Sequence, residues 1–358
     1  MARTIAPVDG AIASDAEPRR SSLHRIMVGT LIVALVVAIV VSLGVGAVGV
    51  PAGKLALTLL GRDSLTADQR IIIISIRLPR ILAAALVGSA LSVSGLLFQG
   101  LFRNPLADPY VIGSSGGAVL GASLGVFLIP SLSIAGFGAT ALLAFVGAVC
   151  SIVLVYALAH VNGRTHVVAL LLAGFAVSTM LSYSSYFLEV LDHDFGIGLR
   201  VLAAWLHGTI SQPTWGQLAI VSAMLVMGLA GSVPLARRLN TLSLGEEYAT
   251  QLGIHLQHTR VAVIVIGSVL TAAAVALGGL ISFVGLVVPH MMRMMLGPDH
   301  TRLLPATALA GAVFLLFADT VARTIIAPAE LSVGVLTAFI GGPFFLYLLR
   351  KTKQELLL

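Results

Sequence analysis

Run after run of this chain is continuously apolar, and that constrains it more than any motif. Residues 27–50, 81–102, 113–129, 137–159, 167–188, 215–235, 261–277, 280–295, 303–326 and 333–349 carry little charge. A helix needs roughly 20 apolar residues to cross a bilayer, and these runs approach or exceed that. A transmembrane strand would alternate apolar and polar residues. These runs do not, so the spans are helices. Of the 358 residues, 58% are hydrophobic and only 10% are charged. No soluble domain hides that much apolar surface. The expected fold class is all-α: a polytopic membrane protein with about ten transmembrane helices.

The rest of the chain is arranged around those runs. Residues 1–25 are polar and end in Arg19, Arg20 and Arg25, which predicts a disordered tail before a permease-sized unit over 26–358. The first run exceeds the ~7–15 residues of a signal-peptide core, which favours a retained anchor. Residues 195–208 are too short and charged to span, and read as a helix lying at or dipping into the outer face.

An even number of spans puts both termini on one side. With the N-terminus inside, the inner segments hold twice as many basic residues as the outer ones, so both termini are expected in the cytoplasm and the chain in the cell inner membrane. The net charge of +6 then belongs to cytoplasmic loops, and nucleic acid need not be invoked. The first outer loop breaks this pattern with Lys54, Arg62, Arg70, Arg77 and Arg80. The single cysteine, Cys150, allows no intrachain disulfide and no thiolate metal site. There is no GxxxxGK[ST] motif, so ATP hydrolysis would fall to another chain.

One long polar break, 237–260, separates two apolar runs. Inside it Leu244, Tyr248 and Leu252 recur at helical spacing, with Glu246, Glu247 and Gln251 between them. Gly245 and Gly253 bracket the stretch as start and stop signals. A short amphipathic helix beside a membrane is something a soluble partner can grip; a solvated connector has the same spacing. In the run 167–188, Ser178, Ser182 and Ser185 share a helical face. They suit either a wet path or close helix packing through small hydroxyl residues.

Several strings are more specific. NPLADP (104–109) forces a turn between two spans. GLISFVGLVVPHMMR (279–293) places Pro289 where it should kink or end a span and free carbonyls. His290 has only His300 near it, a poor metal site. ADTVARTIIAPAELSVGVLTAFIGGPFFLYLL (318–349) closes the set. With LGEEYATQLGI (244–254), these strings resemble permeases of the FecCD type, over most of the chain from Arg77 onward. Ser332 departs from that pattern, which usually has Pro there.

The resemblance implies the fold of a type II ABC importer permease with an inverted repeat. It implies a transport subunit with no chemistry and no bound cofactor or metal of its own. The partners would be two ATPase subunits using ATP and Mg, a second permease copy, an external binding protein and membrane lipid. The cargo would be a ferric siderophore, or else haem or cobalamin. It assigns Leu244, Gly245, Glu246, Glu247, Tyr248, Ala249, Leu252 and Gly253 to coupling with the ATPase. It assigns Arg77, Arg80 and Arg323 to docking of the binding protein, and His166, Val167 and Val168 to the inner end of the pathway. The competing class is an ion-coupled transporter, which often places acidic residues in mid-span. Here Asp319, Glu330, Glu246 and Glu247 fall in or near expected loops. An intramembrane metalloenzyme would need HExxH or a similar cluster, which the sequence lacks.

Overall fold

The computed structural model describes residues 11–46, 51, 53–54, 65–161, 164–191, 196–210, 212–327 and 329–355. Its helices are α1 Ala11–Gly44, α2 Ala67–Phe102, α3 Ser114–Phe127, α4 Ala139–Ala159, α5 Val167–Leu191, α6 Ile197–Leu206, α7 Trp215–Ser243, α8 Glu246–Gln251, α9 Leu256–Gly278, α10 Val284–Leu296, α11 His300–Thr324 and α12 Val333–Glu355. Seven of these are long and apolar enough to cross a membrane, and three shorter apolar ones fall in the other expected spans. The all-α expectation holds. The strands among the described residues form two hairpins, β1 Ser133–Ile134 with β2 Phe137–Gly138 and β3 His160–Val161 with β4 Arg164–Thr165. A short helix appears in the expected stretch as α6, with Leu202 fully buried. The disordered tail does not appear as drawn from composition: α1 is helical from Ala11, and residues 1–10 and Arg62 lie outside the described residues.

α2 is the central helix. Of its most apolar stretch 83% is buried, against 17% for α5. Small residues let its neighbours close in. A Cβ on Gly95 would overlap the Gly285 carbonyl of α10, and one on Gly88 would overlap the Gly311 carbonyl of α11. α2 also begins at Ala67, nearly four turns before the apolar run that starts at Ile81. Thr66 and Gln69 make a capping box there. Pro79 stands in the first turn of the α-helical part of α2, Leu78–Phe102, as expected. One residue separates it from a π-helical segment, Ile72–Arg77, where the hydrogen-bond ladder is already offset and a missing N–H costs less.

The loop that leads into α3 packs at the start of α10, with Pro109 against Gly285. Asn104 and Asp108 each accept a bond from the amide two residues on, at 2.9 and 2.8 Å, which makes the predicted turn from NPLADP. Tyr110 then donates to the Ile281 carbonyl at 3.4 Å. Pro289 does not end its helix, because α10 continues to Leu296. It does free a carbonyl: the Gln99 amide of α2 donates to Gly285 and Leu286 oxygens at 3.4 and 3.1 Å. Arg293 in turn donates to Gln99 Oε1 at 2.9 Å. His290 has a buried Nδ1 with no hydrogen-bond partner among the described residues.

Candidate functional site

The polar break 237–260 folds back against one end of the bundle. α7 runs on to Ser243, and Gly245 turns the chain with φ 126°, a value that favours glycine. α8 follows, and Gly253 at φ 79° ends it. Ala249 is fully buried among Leu239, Leu242 and Val263. It anchors α8 to the protein and offers nothing to a partner, which corrects its place among the contact residues. The opposite face is open. Leu244, Tyr248 and Leu252 are 67%, 63% and 66% exposed. Glu247 is exposed beside them, while Glu246 pairs inward with Arg260 at 2.6 Å and with Arg103 at 3.7 Å. The result is an apolar stripe on a pinned helix, with charge at its rim.

α5 begins at the same end. His166 and Val168 are exposed there and Val167 is half-buried. The serine row does not line an open path. Ser185 is buried and shares a hydrogen bond with Ser123 of α3, and the Ser178 backbone sits where a Cβ on Gly116 would go. Small residues let α3 and α5 approach closely, so Ser178 and Ser185 are packing residues, with Ser182 half-buried in the same row. The open face of α5 is another row: Val168, Leu172, Phe175, Tyr183 and Tyr186, all more than 60% exposed.

At the other end of the bundle the three arginines are gathered but buried, at 5%, 8% and 7% exposure for Arg77, Arg80 and Arg323. Arg80 donates to Asp319 through Nε and Nη2 and reaches Glu330 at 2.7 Å. Arg323 Nε lies 3.0 Å from Asp319 Oδ2, and its Nη2 donates to Ser42 of α1 at 2.8 Å. Arg77 donates to the Leu43 carbonyl at 2.6 Å. The arginines are thus not displayed on a free surface as the sequence suggested. A guanidinium at a poorly hydrated site is stable only beside a carboxylate or carbonyls, and α11 supplies one. Asp319 itself lies inside α11 and is fully buried, not in a loop. Two arginines neutralise it, so it is not a mid-span acid free to carry an ion.

Sequence reasoning missed a second cap. Asn240 at the end of α7 accepts the His300 amide at 2.8 Å and donates to Asp299 at 2.6 Å. Asp299 caps α11 through the Thr301 amide at 2.9 Å. Burial works to raise the Asp299 carboxyl, but bonds from Thr301 and Asn240 and the nearby Arg302 outweigh it and hold it below its ordinary range. Replacing Asp299 with Ala is expected to cost about 0.5–2 kcal/mol. A depressed carboxyl stabilises the fold above its unfolded pKa and loses that effect as pH falls. The unfolding difference between wild type and Asp299→Ala, measured against pH, should therefore close below about pH 4.

Comparison with known proteins fits this arrangement. The FecCD transport family matches residues 34–351. The chain is 44% identical over 288 residues to the cobalamin import system permease protein of Halobacterium salinarum, covering 80% of this chain and 76% of that one. It is 38% identical over 334 residues to the hemin transport system permease protein of Yersinia pestis, covering 92% and 97%. A solved inward-facing metal-chelate type ABC transporter superposes with a TM-score of 0.78 at 33% identity, over 92% of this chain and 99% of that one. With its matched span, its helices and its motifs in agreement, this chain belongs to the FecCD transport family.

Proposed function

We propose that this protein is the membrane-spanning permease subunit of an ATP-driven importer of metal chelates. The observation that carries the reading is the stripe Leu244, Tyr248 and Leu252, exposed on a helix that is buried and salt-bridged on its other side. An isolated apolar stripe at i, i+4 and i+8 is what a groove on a soluble partner takes up. The sequence has no phosphate-binding loop, so that partner is the ATPase, in two copies, with ATP and Mg on its side. The α8 end then faces the cytoplasm together with both termini, and the protein sits in the inner membrane. A second permease copy covers the open face of α5. Tyr183 and Tyr186 carry hydroxyls on that face, and hydroxyls prefer protein or water to acyl chains. The pathway runs between the copies, and His166, Val167 and Val168 help close it on the inner side.

The names of the relatives, cobalamin and hemin permeases, support a metal chelate as cargo. We favour a ferric siderophore, with haem and cobalamin next. An external binding protein delivers it at the arginine end. Docking through Arg77, Arg80 and Arg323 would have to draw on a network that is already paired, with half-exposed Glu330 as its outermost member.

Leu252→Asp tests the reading. Burying a carboxylate in an apolar groove should cost at least ~2 kcal/mol of association, roughly 30-fold in affinity. The ATPase should fail to co-purify and uptake should be lost, with the permease still folded. Unchanged co-purification and uptake would remove α8 from the coupling interface.

A further inference from the structure

Among the described residues α8 and α5 share no extensive packing. α5 lies against α3 and α4, whereas α8 lies against α7 and α9, and α9 touches strand β4. One side chain bridges the gap. Arg260, in the first turns of α9, is only 13% exposed. Its Nη2 donates to Glu246 Oε1 of α8 at 2.6 Å, and its Nη1 donates to the Thr165 carbonyl of β4 at 2.9 Å. Thr165 is fully buried. The next residue, His166, accepts the first backbone bond of α5, from the Leu170 amide at 3.0 Å. One rigid planar fork thus holds the coupling helix with one arm and the entry to α5 with the other.

The hairpin is fastened in the same place. Gln257, one turn before Arg260, donates to Thr165 Oγ1 at 2.8 Å and to the Tyr156 hydroxyl at 3.0 Å. His160 Nδ1 lies 2.9 Å from Thr165 Oγ1. These bonds lock β4 to α9 independently of α8. Among the described residues Arg260 adds α8 to the group, with Arg103 as a looser second contact of Glu246 at 3.7 Å. The Arg260–Glu246 bond is charge-assisted and short, with the guanidinium largely buried and the carboxylate 47% exposed.

We propose that Arg260 is the positioning residue that passes movement of α8 to the start of α5, so that the ATPase controls the opening of the pathway. This rests on the importer reading and names the residue that makes it work. The test uses Arg260→Met, which keeps the stem's packing and removes both donors, and Arg260→Lys, which keeps the charge on a single donor point. Spin labels at Gln251→Cys and Val168→Cys, in a Cys150→Ser background, report the α8–α5 distance in the purified full-length permease. The wild type should give one narrow distance and Arg260→Met a broad one, with Arg260→Lys between. In proteoliposomes of the complete importer, cargo delivered per ATP hydrolysed should fall about tenfold in Arg260→Met and recover in part in Arg260→Lys. The cargo is whichever of a ferric hydroxamate, haem and cyanocobalamin the wild type transports. A narrow distance and wild-type stoichiometry in Arg260→Met overturn the proposal while wild-type uptake upholds the importer. Absence of ATP-driven uptake by the wild type overturns the importer reading itself, and the relay with it.

Discussion

Asp319→Asn is expected to destabilise this protein by about 3–5 kcal/mol, the range for leaving buried charge uncompensated. Asp319 is fully buried and stands between two guanidinia, with Arg80 at 3.1 Å and Arg323 at 3.0 Å. The amide keeps the shape and removes the charge, so two cations are left facing each other. The neighbouring substitutions are unequal for a physical reason. Arg80→Gln leaves Asp319 with Arg323, and should cost less. Glu330→Gln touches a side chain 51% exposed, where an ion pair is worth about 0–1 kcal/mol. Unfolding in mixed micelles should rank the three in that order. The site ties α1, α2 and α11 through Ser42, Arg77, Arg80, Asp319 and Arg323, so Asp319→Asn should also free α1 to proteolysis. Equal stability of Asp319→Asn and Glu330→Gln would mean that the network is wet and loose.

Gly95→Val should be as damaging, by contact instead of charge. Alanine is a better helix former than glycine by about 1 kcal/mol, so propensity alone predicts that Gly95→Ala stabilises α2. Packing opposes it. The added Cβ meets the backbone carbonyl of Gly285, which cannot rotate away as a side chain can. Overpacking costs typically about 1–3 kcal/mol and more where the obstacle is rigid, so the net sign is unfavourable for Ala and larger for Val. The same carbonyl is the one Pro289 leaves without its helical partner. Pushing α10 away would also part Gln99 from Gly285 and Leu286. Thermal unfolding midpoints should fall in the order wild type, Gly95→Ala, Gly95→Val. A stabilised Gly95→Ala would show that α2 and α10 are not in close contact.

Much of this protein was legible in its sequence. Apolar run length located the spans, because the cost of unpaired backbone in lipid leaves only the helix. The period of Leu244, Tyr248 and Leu252 located the exposed stripe of α8, and Gly245 and Gly253 its ends, because such local features depend on neighbours in sequence. Some local signals were there and went unread. The pairs Thr66–Gln69 and Thr214–Gln217 are capping boxes, and the first would have placed the start of α2 in the polar stretch before the apolar run.

What the sequence could not decide were partners far apart in the chain. Ser178, Ser182 and Ser185 suit a wet path or a dry contact equally, and only the approach of Gly116 and Ser123 on α3 makes the contact dry. Arg77, Arg80 and Arg323 look available for a partner until Asp319, 239 residues beyond Arg80, is folded beside them. Ala249 looks like part of a surface until α7 and α9 cover it, and Arg260 looks like loop charge until Thr165 and Glu246 close on it. Hydrophobicity and helical period are sums over adjacent residues, which the sequence holds completely. The fate of a polar group in a bundle depends on which helix stands opposite it, and tertiary packing alone settles that.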